Sequence, residues 1–177
     1  MKKFNKLFLV LMVVFGFTAC DELLDDIISF DSDFIEFDFT INPTNDIGEK
    51  VVHIEVISSD FEEILEDNDL DKDNISSVLV KEAFFEVTNP DQQVNFNGIS
   101  AVSTTVKAGT LSEVVIAEKD PMPADAREVE LDVISEDLEK YLDNDQYSIT
   151  AKAVIDEPLT DTIFVLAKIK YTIKGGL

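Results

Sequence analysis

The segment DTIFVLAKIKYTI, Asp161 to Ile173, decides the fold class. Ile163, Val165, Ala167, Ile169 and Tyr171 recur at every second position. Successive side chains of a strand point to opposite faces, so these five share one face. The alternate set starts apolar with Phe164 and Leu166 and ends charged with Lys168 and Lys170. That pattern predicts a strand covered on both faces at one end.

The same period runs back along the chain. YSITAKAVI keeps Tyr147, Ile149, Ala151 and Ala153 in phase, and DFIEFDFTI keeps Ile35, Phe37, Phe39 and Ile41 in phase. VVHIEVISS sets Val52, Ile54 and Val56 against His53 and Glu55, which places His53 on the solvent side. SSVLVKEAFFEVT offers Val78, Val80, Phe84 and Phe85 as core. GISAVSTTVKA and SEVVIAEK are two further strands, separated at Gly109 and Thr110, and REVELDVI alternates through Val129, Leu131 and Val133. Turn-forming stretches such as NPTNDIGEK and DEPLT separate the runs.

Two segments break the pattern. SDFEEILEDN has Phe61, Ile64 and Leu65 at helical spacing, with Asp60 as a cap and Glu62 and Glu63 in the first turn. Ser135 is placed to cap a second short helix in EDLEKYL. About eight strands with two short helical insertions predict an all-β, antiparallel β-sandwich, with a closed barrel as the alternative.

Composition narrows the function classes. An apolar fraction of 45% supports a packed core. Thirty-seven acidic residues against fourteen basic ones give a net charge of −23. Such a chain repels phosphate backbones, so no nucleic-acid partner is expected. The same charge disfavours adhesion to anionic lipid and favours basic or cationic partners.

Catalytic chemistry has little to stand on, and the chain is expected not to be an enzyme. His53 is the single histidine, too few for a typical three-ligand catalytic zinc site. No G-x-S-x-G elbow presents a serine, and the six glycines form no phosphate loop. No cofactor is expected, with calcium as the one candidate. DNDLDKDN spaces Asp67, Asp69, Asp71 and Asp73 at every second residue, as at the start of an EF-hand loop. Counted from Asp67, Lys72 stands where that loop needs glycine and Val78 where it needs glutamate; from Asp69 the two positions are Asn74 and Val80. What remains is a looser oxygen-ligand site, joined by Asp143 to Asp145.

The first nineteen residues differ in kind. MKKFNK is basic, LFLVLMVVFGF is apolar, and Thr18 and Ala19 are small, the order of a secretory signal. The apolar run is shorter than the roughly 20 residues that a spanning helix needs. FTAC, Phe17 to Cys20, resembles a bacterial lipobox, in which the signal is cut before a cysteine that carries a diacylglycerol. Cys20 is the chain's single cysteine, so no disulfide competes for it. The expected organisation is a lipoprotein signal peptide over 1–19, the lipidated Cys20 with an acidic tether over 20–33, and the sandwich over 34–177. Membrane contact is then through the lipid.

Three features together resemble small lipoproteins of the Bacteroidota. They are FTAC followed by Asp21 and Glu22, the insertion DFEEILEDNDLDKDNI, and the run IAEKDPMPADAREVELDVISEDLEKYLDNDQYSITAKAV. The resemblance implies an immunoglobulin-like sandwich and carries no active residues. It also implies that Asp21 and Glu22 act as an export signal to the cell surface, whereas enterobacterial sorting reads an acid there as inner-membrane retention. The expectation is an outer-membrane lipoprotein, periplasmic or surface-exposed, with a non-catalytic binding or structural domain and an unidentified protein or glycan partner. A calcium-dependent adhesion module and a hydrolase with an unrecognised site are the alternatives.

Overall fold

A computed structural model describes residues 27–176. Cys20, Asp21, Glu22 and the signal segment lie outside these residues. The described chain forms ten strands and two short helices. In order they are β1 (Ile27–Asp31), β2 (Ile35–Ile41), β3 (Gly48–Ser58), α1 (Phe61–Asp67), β4 (Ile75–Val87), β5 (Ile99–Lys107), β6 (Val114–Lys119), β7 (Glu128–Glu130), β8 (Asp132–Val133), α2 (Glu139–Leu142), β9 (Gln146–Ile155) and β10 (Ile163–Gly176). A 3-10 turn, Lys72–Asn74, leads into β4.

All strand pairs are antiparallel, and they form two sheets rather than a closed barrel. The first has the order β1-β10-β4-β7, with β2 also pairing β10. β1 takes the C-terminal half of β10, with Ile27 opposite Gly176, and β2 takes the N-terminal half, with Ile41 opposite Ile163. The second sheet has the order β3-β9-β5-β6-β8. The core lies between them. Ile163, Val165, Ala167, Ile169 and Tyr171 of β10 are all buried and face the equally buried Tyr147, Ile149, Ala151 and Ala153 of β9. Full burial of one Ile, Val or Phe side chain stabilises by about 1.5–3 kcal/mol, so each large aliphatic residue of this double stripe contributes on that scale.

Several sequence expectations change here, each for a local reason. Residues 27–31, expected within the tether, are β1, because β10 offers them a free edge beyond the end of β2. REVELDVI is two strands. Leu131 donates its N–H to Ala83 of the first sheet and Ile134 donates to Ile116 of the second, so the chain crosses between sheets within four residues. Leu131 is buried in the crossing and Val133 is exposed. These two changes take the count from eight strands to ten.

Bulges account for the phase errors. In β3, Val51 pairs Lys152 and His53 pairs Ala151, so Val52 is an extra residue. An extra residue turns every later side chain to the other face. Ile54 and Val56 therefore point out, 58% and 61% exposed, and His53 points in. In β4 a slip between Val80 and Glu82 does the same. Val78, Val80 and Phe85 are buried as expected, while Phe84 lies on the outer face, edge-on to Phe34. Phe164 is 45% exposed, so β10 is not covered on its outer face there.

Arg127, the single arginine, fixes the long loop after β4. Its guanidinium donates to the carbonyls of Val87, Asn89, Asp91 and Val94 at 2.6–3.0 Å. A planar fork of donors suits such a set of backbone acceptors.

A candidate binding cleft at one end of the sandwich

Where β3 ends, the chain must return to the first sheet to begin β4. It does so through α1, which lies across the end of the sandwich. Phe61 and Leu65 are buried and close the core, and Ile64 is half-buried. Asp60 stands before the helix, but its carboxylate makes no capping hydrogen bond. Ser59 Oγ accepts from Phe61 N at 3.3 Å instead and donates to the Leu142 carbonyl. Ser59 N donates to the Asp145 carbonyl at 3.0 Å. These bonds tie the start of α1 to the end of α2. α2 itself is capped through Asp137, whose Oδ1 accepts from Glu139 N at 3.1 Å and from Val78 N at 3.0 Å; the expected cap, Ser135, has no such role.

The tie leaves a groove of about 590 Å3 between α1 and the α2–β9 turn. Asp60, Glu62, Glu63, Glu66 and Asp67 line one wall, and Asp143, Asn144 and Asp145 the other. Lys72 spans it, paired with Asp143 and with Glu62 at 3.7 Å. The Asp143 carboxylate holds the Lys72 ammonium above its usual range. The groove remains strongly acidic.

Beneath α1, on the side of the β1–β2 corner, lies a cavity of about 260 Å3. Phe30, Phe34, Ile35, Phe61, Ile64 and Ile173 supply its apolar wall, and Ser59, Asp60 and Asp67 are shared with the groove. Tyr147 of β9 and Tyr171 of β10 line it from the two sheets. Burial pushes both phenols well above their ordinary range, and Asp60 adds to this at Tyr147, so both are neutral O–H donors. Tyr171 is 1% exposed, and its hydroxyl is packed beside the Tyr147 phenol.

The four aspartates proposed for calcium are not gathered. Asp67 ends α1 and faces the groove. Asp69 takes a left-handed conformation, φ +56°. Asp71 Oδ1 accepts from Asp73 N at 3.0 Å and caps the 3-10 turn that contains Asp73. Among the described residues, no group of three or more His, Cys, Asp or Glu side chains is placed to hold a metal ion. Asp143 reaches Lys72.

His53 lies elsewhere. It stacks on Phe37 and Phe39 of β2 at 5.7 and 5.3 Å, and its Nε2 lies 2.9 Å from Glu55 Oε2. The expected solvent-facing histidine thus joins the edge strands of the two sheets.

The strand period puts Tyr147 and Tyr171 on the core face but does not show where their hydroxyls end. The available signal was two phenols on buried strand phases, since a buried Tyr O–H usually finds a partner. Among the described residues, no helix is long and apolar enough to cross a membrane. The chain is thus a two-sheet antiparallel β-sandwich with an acidic cleft at one end. No protein-family model, curated protein or solved structure matches it.

Proposed function

We propose that this chain is a lipid-anchored cell-envelope protein whose immunoglobulin-like sandwich is a non-catalytic binding domain. Cys20 carries the lipid at the outer membrane, Asp21 and Glu22 direct its export, and the domain works on the periplasmic or outer side. The observation that carries the binding role is the cleft: an acidic groove joined to an apolar cavity, held by hydrogen bonds between α1 and α2. A pocket with apolar walls and a few convergent polar groups is the usual form of a ligand site.

The position of the cleft fits the anchor. β1 starts opposite Gly176, and the adjacent Gly175 pairs with Ile75, which directly follows the 3-10 turn. The chain therefore enters the sandwich at the α1 end. Seven residues from Cys20 to Ile27 span at most about 25 Å, which keeps the cleft near the bilayer. Stable anchoring needs more than one acyl chain, as a diacylglyceryl cysteine provides.

Fractionation of cells that produce the full chain tests this reading. The wild-type protein is expected in the membrane fraction after a high-salt wash, and Cys20→Ala in the soluble fraction. Equal membrane retention of both would overturn the anchor.

A further inference from the structure

β3 stands at the end of the second sheet and pairs with β9 alone. Among the described residues no strand covers its other side. An edge of this kind presents unpaired backbone donors and acceptors, and proteins usually keep such edges short or charged. β1, β7 and β8 have five, three and two residues, and β2 carries Glu36, Asp38 and Thr40 along its outer face. β3 has eleven residues, and Val51, Ile54 and Val56 point outward, each more than half exposed. Its one lysine and two glutamates leave it a charge of −1, in a chain of −23.

The strand is complementary to itself about Ile54. Opposite residues of an antiparallel pair share a face. Ile54 is set opposite its own copy, and Val52 is left out of the ladder as it is toward β9. Val51 then stands opposite Val56, and Glu49 opposite Ser58, on the outer face. On the inner face His53 stands opposite Glu55 and Lys50 opposite Ile57. No like charges are opposed, and the aliphatic side chains of both copies form one unbroken outer row. A slip of one residue turns the row of one copy to the wrong face. A slip of two sets Glu55 opposite Glu55 in one direction and Val56 opposite Glu49 in the other.

We propose that two copies of this chain associate through β3, edge to edge and antiparallel about a two-fold axis at Ile54. The contact is isologous and joins the two second sheets into one continuous sheet. Main-chain hydrogen bonds hold the pair, and the aliphatic row leaves water. The net charge of each copy opposes the contact, so the pair is weak and strengthens with salt. This goes beyond the binding role and depends on neither the lipid nor the cleft.

Sedimentation equilibrium of the full-length chain in density-matched non-ionic detergent tests it. A monomer–dimer equilibrium is expected, with a dissociation constant on the order of 100 µM at about 150 mM sodium chloride and about threefold tighter at about 500 mM. Ile54→Lys should abolish the dimer and leave the melting temperature of the monomer unchanged. Cysteines placed in the Cys20→Ala chain read the register. Ile54→Cys is expected to give a disulfide-linked dimer on mild oxidation, because opposite residues lie within disulfide reach. A mixture of Val51→Cys and Val56→Cys should cross-link one to the other. Val115→Cys, exposed on β6 of the same sheet, should stay monomeric. No association in 500 mM salt, a dimer that survives Ile54→Lys, no cross-link in the mixture, or Val115→Cys linking as readily as Ile54→Cys would overturn the proposal.

Discussion

His53 lies flat against two rings, with planes within 19° of Phe37 and 13° of Phe39. An aromatic pair contributes about 0.5–1.5 kcal/mol beyond its buried area. His53→Ala is therefore expected to destabilise by about 1–3 kcal/mol in urea unfolding. Ile54→Lys, one residue away and 58% exposed, should change stability by less than about 0.5 kcal/mol. A reversed order would mean that Ile54 faces the core, as strict alternation through Val52, Ile54 and Val56 suggests. The sequence period located β3 but not its phase. The extra residue at Val52 is stabilised by the partner strand β9, and nothing in VVHIEVISS marks it. In β2, β9 and β10 no such slip falls among the residues named in phase. There Phe37, Phe39, Ile149, Ala151 and Val165 were readable as core directly.

At the scale of elements, the corner between β1 and β2 depends on Ser32. Its N–H donates to the Tyr171 carbonyl at 2.9 Å, and its Oγ accepts from Tyr171 N at 3.0 Å. Ser32→Ala leaves a buried N–H without a partner, at a cost of about 1–3 kcal/mol, measurable by denaturant unfolding. This corner was hidden in the sequence, because DELLDDIISFDSD has no clean period; β1 exists through its pairing with β10. The helices were readable where the signal is local. Phe61, Ile64 and Leu65 mark α1, but its cap comes from Ser59, and the cleft depends on bonds between segments more than 80 residues apart. On the outer face of the second sheet, Glu113 accepts from Lys152 at 2.7 Å and from Thr105 at 2.6 Å. The Lys152 ammonium, then the Thr105 hydroxyl, holds its carboxyl below the ordinary range. A lowered folded pKa stabilises above the unfolded value, near pH 4.3, and that gain is lost as pH falls through the folded value. Glu113→Gln should cost less than about 1 kcal/mol at pH 7, as exposed pairs do, and the difference should vanish on acidification through that window.

For the whole molecule, charge is the dominant feature. A net charge of −23 on 177 residues repels itself, while the exposed ion pairs each contribute little. Screening should therefore stabilise: the melting temperature is expected to rise by several degrees between about 10 and 500 mM sodium chloride. Addition of 1 mM calcium at about 150 mM salt should add nothing, because a native-state ligand must raise the melting temperature and Asp67, Asp69, Asp71 and Asp73 do not converge. The two-layer architecture was legible from period and turn chemistry; the acidic cleft was not, since it arises where three separate segments meet. The proposed anchor holds this acidic sandwich at a membrane through Cys20. Growth of producing cells with radiolabelled palmitate tests it most directly. Label on the wild-type protein and none on Cys20→Ala is the predicted result. An unlabelled wild-type protein, or label that survives the substitution, would contradict it.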